Sequence, residues 1–195
     1  LQFFLDNLHE ATKIKIESKM TEIKGEIKTK RDQLMYDFYK FFGTHLEKLG
    51  CSPISKQFEG FYCSSISNDH DKKISNSFEP FFYINLEISK LAHNATLEQA
   101  LTNFTAPEIL DDYQNEKYSD TTVFQKEIRF INLPSELIIM FKRFDNMGNK
   151  INKRINYPFT LNMTPYCVGY KRNHNIQYEL YGVCVHMGIL EGGHY

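Results

Sequence analysis

The residues best suited to chemistry lie at the end of the chain. His194 follows Gly192 and Gly193, and Tyr195 comes directly after it. Because glycine has no Cβ, the backbone of a Gly-Gly pair can approach a ligand closely. Such a position suits a general base and is a poor place for a core residue. The pattern therefore predicts that His194 is a general base.

An alternating apolar segment leads into this glycine pair with a characteristic spacing. Segment and loop together resemble the histidine box of the ubiquitin-specific proteases, which is roughly Y-x-L-x-x-V-x-x-H-x-G-x(4)-G-H-Y. That family cuts ubiquitin from its conjugates with a Cys-His pair. The matching positions are Tyr178, Leu180, Val183, His186, Gly188, Gly193, His194 and Tyr195.

The resemblance implies a role for each part of this block. His194 would take the proton of a cysteine thiol and return it to the leaving lysine amine. Gly192 and Gly193 would lie against the Gly-Gly tail of ubiquitin, so that neither surface carries side chains at the scissile bond. The other positions that the family places near that tail are His186, Phe144 and Tyr195.

Further blocks extend the resemblance to both ends of the chain. Residues 1–10 resemble the end of a helix of the form Q-D-x-x-E-F-L-x-x-L-L-D-x-L-H-E. Residues 58–60 match F-x-G, and residues 133–144 match L-P-x-x-L-x-x-x-L-K-R-F closely. Residues 150–159 resemble K-x(6)-F-P, with Tyr157 in place of the usual phenylalanine. The resemblance is therefore spread along the chain and is not confined to the histidine box.

The resemblance implies an α+β fold of the papain-like cysteine protease type, with partial thumb helices and an antiparallel sheet for the palm and fingers. Residues 1–195 would form one partial catalytic domain, with a helical insertion at residues 10–48 and the fingers and palm at residues 54–195. The nucleophilic cysteine would lie upstream of Leu1, and the residue that orients the histidine beyond Tyr195. The implied function is thiol-dependent hydrolysis of isopeptide and peptide bonds after the C-terminal Gly-Gly of ubiquitin, and residues 1–195 alone would be inactive.

Two alternatives stand beside this function. The first is an inactive relative that binds ubiquitin or acts as a scaffold, although such a protein has no chemical reason to keep His194 behind Gly-Gly. The second is a self-contained dyad, because Cys184 lies two residues from His186 and both would share one face of a strand. Cysteine is a common small core residue, however, and Cys184 interrupts an apolar run, so we favour a structural role.

Composition narrows the remaining function classes. The net charge is −1, and no apolar run reaches the roughly 18 residues that span a bilayer, so we expect neither nucleic acid nor a membrane as a partner. The four cysteines show no paired spacing, which favours reduced thiols in an intracellular protein of the cytoplasm or nucleus. Many family members carry C-x-x-C where Asn68 and Asp71 stand here, so we expect no zinc and no cofactor. Ubiquitin and ubiquitinated proteins are the expected partners.

Residues 10–48 resemble the family least. Apolar residues recur there at spacings of four, three, four and seven, which predicts one or two amphipathic helices, bent near Gly25. We expect these helices to pack on their own domain, and a helix that binds a partner is the alternative. The residues of this seam are Ile16, Met20, Ile23, Ile27 and Leu34.

The rest of the chain predicts a mainly antiparallel sheet. Residues 80–88 alternate like a half-buried strand, and residues 97–104 predict a short helix. Residues 137–144 are rich in β-branched and aromatic side chains and predict a central buried strand. Residues 146–149 predict a turn, after which residues 150–157 return as the second arm of a hairpin.

Overall fold

The described part of the chain contains four α-helices, three of them before the first strand. The computed structural model describes residues 1–17, 26–69, 74–111, 113, 115–118, 122–169 and 175–195. None of the helices in these ranges is long and apolar enough to span a bilayer. The helices are α1 Gln2–Thr12, α2 Lys30–Leu49, α3 Pro53–Phe58 and α4 Leu97–Thr105.

The three longest strands and one short strand form an antiparallel sheet. Its members are β1 Gly60–Asn68, β2 Ser75–Phe81, β5 Glu108–Leu110 and β6 Phe124–Asn132. Across the sheet they are ordered β2-β1-β6-β5. The register of β1 on β2 runs from Gly60 opposite Phe81 to Ile66 opposite Ser75, which makes a long hairpin of the kind predicted for the fingers.

The remaining strands pair two by two. The parallel pairs are β3 Ile84–Glu87 with β7 Ile139–Lys142, and β4 Ala95–Thr96 with β8 Ile155–Asn156. The antiparallel pairs are β9 Thr160–Asn162 with β10 Gln177–Glu179, and β11 Met187–Ile189 with β12 Gly192–His194. Helices combined with mainly antiparallel strands confirm the predicted α+β class.

The larger core lies where α4 packs on β3. Alternate residues of this strand and its extension turn inward, so Ile84, Leu86 and Ile88 are buried while Asn85 and Glu87 are exposed. This is the half-buried strand that the alternation predicts, although a two-residue break separates it from β2. The other buried side chains of this core include Leu97, Leu101, Phe130, Leu161 and Met163.

A second core lies between α2 and the four-stranded sheet. Leu34 and Phe38 of the helix are buried against Phe61, Cys63 and Ile131. The ring of Phe38 meets that of Phe61 edge to face, with 5.5 Å between the centroids. The apolar face of α2 is therefore covered within the chain, as expected for a helix that packs on its own domain.

The predicted helical seam is wrong at its beginning. Helix α1 ends at Thr12, and Ile14 forms an isolated antiparallel β-bridge with Cys51. Ile16 follows this bridge and belongs to no helix. The backbone pairing with Cys51, which no heptad count can foresee, takes the chain out of helical geometry here.

The seam is also wrong just before α2. The hydroxyl of Thr29 accepts a hydrogen bond from the N–H of Asp32, and the Asp32 carboxylate accepts one from the N–H of Thr29. This capping box starts the helix, so Ile27 lies in the coil before it. The predictions for Met20, Ile23 and the bend at Gly25 lie outside the described residues.

The run at residues 137–144 is a shorter and more exposed strand than predicted. Among the described residues, β7 pairs with β3 alone. Met140 is 37% exposed, because alternate side chains of a strand point to opposite faces. The predicted hairpin is reduced to one β-bridge between Phe144 and Lys150, after which the chain turns away and β8 pairs with β4.

Candidate active site

His194 is the last residue of β12 and lies on a short two-stranded hairpin. Strands β11 and β12 pair antiparallel, with Met187 opposite His194 and Ile189 opposite Gly192. The turn between the strands has two residues, so the hairpin closely fixes where His194 lies. His194 is exposed, and no side chain in the described ranges hydrogen-bonds with its imidazole. The ring is therefore accessible to a group that approaches from outside.

The two predicted ligand-facing glycines have different surroundings. A Cβ on Gly193 would collide with the carbonyl oxygen of Met187 and with Nε2 of His186. Its partner across the hairpin, Gly188, has a φ of +142°, which side-chain-bearing residues rarely adopt. Gly192, by contrast, has no heavy atom within 4 Å of an added Cβ. The close approach at Gly193 is therefore a requirement of the hairpin itself.

Three predicted substrate-binding residues form a row of rings beside this hairpin. The Phe144 and His186 centroids lie 5.9 Å apart, and the His186 and Tyr195 centroids 4.9 Å apart. Tyr195 is 89% exposed, whereas Phe144 is half-buried. The row thus begins inside the fold and ends in the open, next to His194.

Lys150 is a residue of this site that the sequence reasoning missed. Its Nζ donates hydrogen bonds to the carbonyl oxygens of His186 and Gly188, each at 3.0 Å. The motif K-x(6)-F-P included this lysine, but nothing local to it indicates a contact with residues 36 and 38 positions away. The lysine ties the turn after Phe144 to the strand that precedes His194.

The turn before Lys150 is built around Asp145. The Asp145 carboxylate accepts hydrogen bonds from the N–H groups of Met147 at 2.9 Å and Asn149 at 2.8 Å, and from the Asn149 side-chain amide at 3.1 Å. The bonds from Asn149 hold the pKa of the Asp145 carboxyl below its ordinary value. The predicted turn at residues 146–149 is confirmed, and the aspartate before it holds its shape.

The cysteines of the chain are poorly placed to act as nucleophiles. Cys51 and Cys63 are buried. Burial raises the pKa of Cys167 to about 12, so its thiol stays protonated at neutral pH. Cys184 is exposed but lies before β11, outside any strand, and no hydrogen bond joins it to His186 in the described residues. The dyad of Cys184 and His186 therefore gains no support.

Two other histidines serve the fold. Nδ1 of His9 lies 2.8 Å from Oγ of Ser52, which links α1 to the start of α3. Nε2 of His45 lies 2.9 Å from Oε1 of Glu59, and both side chains are less than a tenth exposed. The sequence reasoning identified neither pair, because each joins residues that are distant along the chain.

The described residues offer no candidate metal site among their histidines. His93 is exposed, and His70 lies outside the described residues. The described ranges hold no group of three or more histidine, cysteine, aspartate or glutamate side chains placed to bind a metal ion. The expectation that no zinc is bound stays a prediction.

Comparison with known proteins gives a consistent picture. The family model described as ubiquitin carboxyl-terminal hydrolase matches residues 1–195. Ubiquitin carboxyl-terminal hydrolase 4 of Saccharomyces cerevisiae is 30% identical over 226 residues, which cover 100% of this chain and 24% of the yeast protein. Ubiquitin carboxyl-terminal hydrolase 23 of Arabidopsis thaliana is 33% identical over 150 residues, which cover 74% of this chain and 17% of the plant protein.

A solved structure shows the same fold. The SAGA Ubp8/Sgf11/Sus1/Sgf73 DUB module bound to ubiquitin aldehyde matches with a TM-score of 0.65 and 26% identity, over 82% of this chain and 40% of the matched one. The chain thus spans about a quarter of the yeast hydrolase and two fifths of the solved chain. The papain-like deubiquitinase fold that the resemblance implied is confirmed. The chain belongs to the ubiquitin carboxyl-terminal hydrolase family.

Proposed function

We propose that this protein is a cysteine-type deubiquitinase that hydrolyses isopeptide and peptide bonds after the C-terminal Gly-Gly of ubiquitin. The observation that carries the proposal is the exposed His194 at the end of its hairpin, followed along the chain by Tyr195, whose ring forms a row with those of His186 and Phe144. Membership of the family supports the reaction class. The related DUB module bound to ubiquitin aldehyde supports ubiquitin as the partner.

His194 acts as the general base in this proposal. A cysteine thiol with an ordinary pKa is mostly protonated at neutral pH and reacts slowly. The imidazole takes the thiol proton, the thiolate attacks the terminal carbonyl carbon of ubiquitin, and the imidazolium gives the proton to the leaving amine. Water then hydrolyses the thioester and frees ubiquitin. The cysteine lies outside residues 1–195, where the family resemblance places it.

The surroundings of His194 suit a substrate tail without side chains. Phe144, His186 and Tyr195 form one wall of the channel for that tail, and Gly192 presents bare backbone to it. A channel walled by rings and glycine admits Gly-Gly and rejects bulkier residues. Ubiquitin and ubiquitinated proteins are therefore the proposed partners, and the four free thiols are compatible with a location in the cytoplasm or nucleus.

The test is substitution of His194 by alanine in the full-length protein. We expect kcat for a fluorogenic ubiquitin amide to fall a hundredfold or more, which is roughly the contribution of a general base. Ubiquitin binding should change far less, because the imidazole acts on the reacting thiol and not on the bulk of the ubiquitin surface. His93→Ala is the matched control, since His93 is exposed and lies in a turn outside the proposed site.

Two results would contradict parts of this proposal. If His194→Ala kept its turnover while His186→Ala abolished it, the assignment of the general base to His194 would be wrong, and His186 would be the base. If the unaltered protein bound ubiquitin without cleaving it, the inactive ubiquitin-binding relative would be the correct function. Labelling by ubiquitin with a thiol-reactive C-terminus, followed by mass spectrometry, should modify none of the chain's own cysteines: Cys51, Cys63, Cys167 and Cys184.

A further inference from the structure

Lys150 makes contacts for which the proposed reaction gives no reason. Its ammonium group bridges the carbonyl oxygens of His186 and Gly188, at 3.0 Å from each. Residues two apart in an extended strand turn their carbonyls to the same edge, so Lys150 covers one edge of β11. The other edge pairs with β12, where Met187 lies opposite His194. Lys150 thus binds one edge of β11, and β12, the strand that ends in His194, pairs with the opposite edge.

The surroundings of Lys150 make this contact restrictive. Its side chain is half-buried, and within the described ranges no carboxylate lies at salt-bridge distance from it. A partly buried ammonium needs polar partners, because leaving it without them is costly. Backbone carbonyls serve here, so the position of Lys150 favours one path for the chain at residues 186–188.

Besides the lysine, a ring of the same segment contacts the hairpin, and the tip of the turn lies close to it. The backbone of Phe144 forms a β-bridge with that of Lys150, and the ring of Phe144 packs on the ring of His186. At the tip of the turn Gly148 lies near Leu190, since a Cβ built on this glycine would be 3.4 Å from Cδ2 of Leu190. The turn is therefore seated along the hairpin, and Lys150 supplies the polar part of that contact.

We propose that Lys150 is a positioning residue for His194: by binding the two carbonyls it fixes the hairpin that places the imidazole, and it does not touch the substrate. The inference rests on the proposed function of His194 as the base. Proton transfer is sensitive to placement, since an error of about 1 Å can cost on the order of a hundredfold in rate. A loose hairpin would therefore lower turnover even though His194 itself were intact.

The experiment compares Lys150→Met and Lys150→Arg in the full-length protein. Methionine keeps most of the apolar stem and removes the donors, so we expect kcat for a ubiquitin amide to fall about tenfold to a hundredfold, with a smaller change in KM. Arginine keeps a cation with several donors and should restore part of kcat. Amide hydrogen exchange at residues 187–189 should be faster in the methionine variant than in the arginine variant.

Lys153 provides a matched control. It is also half-buried, and its Nζ donates to two backbone carbonyls, those of Ser89 and Leu91, which lie outside the hairpin. Lys153→Met should lower the melting temperature while leaving kcat and exchange at residues 187–189 unchanged. This control separates positioning from a general loss of stability.

Each outcome decides something. The inference is overturned if Lys150→Met keeps the kcat and the exchange rates of the unaltered protein, or if Lys153→Met changes both to the same extent. If Lys150→Met does not fold, Lys150→Gln, which keeps a neutral donor, serves in its place. If His194→Ala keeps full turnover while Lys150→Met loosens the hairpin, the function assigned to His194 fails but the contact of Lys150 with the hairpin stands.

Discussion

Glycine at position 193 can be required for two reasons, the approach of the ligand and the packing of the hairpin itself. The sequence suggests that glycine stands there to let the ubiquitin tail approach. In the structure a Cβ at this position would already collide with Met187 and His186 of the same hairpin. Gly192 shows no such conflict. The two adjacent glycines therefore differ in what a methyl group would do to the fold.

We predict that Gly193→Ala disrupts the hairpin and that Gly192→Ala does not. The alanine at 193 must displace both the Met187 carbonyl and the His186 ring, and moving that carbonyl separates β11 from β12. The measurement is amide hydrogen exchange at residues 187–189, which should be fast in Gly193→Ala and unchanged in Gly192→Ala. If exchange in both variants stayed as slow as in the unaltered protein, the hairpin would not require glycine at 193, and Gly193 would be present for the ligand alone.

The histidine box and the L-K-R-F block name the site residues, and their roles stay predictions. The resemblance names His194, His186 and Tyr195 in the histidine box and Phe144 at the end of the L-K-R-F block, and the structure brings the rings of Phe144, His186 and Tyr195 together. Lys150 was missed because a lysine after a turn indicates only a solvated charge. Whether two carbonyls approach it depends on how distant segments pack.

Helix α2 shows where apolar spacing predicts helical packing correctly and where it does not. Leu34 and Phe38 are four residues apart, lie on one face of the helix and are buried in the second core, as helical spacing predicts. Ile16 and Ile27 obey the same spacing but lie outside helices, because the bridge between Ile14 and Cys51 and the cap at Thr29 set the actual ends. Spacing alone identifies an apolar face, and it does not locate where the helix begins.

We predict that Phe38→Ala lowers the free energy of unfolding by about 3–5 kcal/mol. Phe38 is 3% exposed, and its ring contacts those of Phe61 and Phe78, so truncation leaves a cavity between α2 and the sheet. Tyr39→Ala is the control, because the neighbouring Tyr39 is 52% exposed and should cost far less. Urea unfolding measures both, and similar losses in the two variants would show that α2 does not pack on the sheet.

Two weak acids of the fold are half-buried, the thiol of Cys167 and the phenol of Tyr62. The thiol of Cys167 donates to the carbonyl of Met163 at 3.2 Å, and burial raises its pKa to about 12. Burial, with a hydrogen bond to Glu79, likewise raises the pKa of Tyr62 to about 12. Both groups lie against the larger core. Each stays protonated in the folded chain at a pH where it ionises in the unfolded chain.

The pKa values of these two groups predict that the fold loses stability in alkali. In the unfolded chain a cysteine ionises near pH 9.0 and a tyrosine near pH 10.0, whereas both folded values are about 12. These two groups should therefore leave the free energy of unfolding unchanged well below pH 9 and lower it as the pH rises above 9, by at most about 1.4 kcal/mol per pH unit for each proton. Tyr62 should contribute less than this limit, because it is half exposed and solvent weakens the effect.

Urea unfolding between pH 8 and 11 measures the slope, which Cys167→Ala should reduce from pH 9 and Tyr62→Phe only from pH 10. An unchanged slope in Cys167→Ala would show that this thiol is not held protonated by the fold.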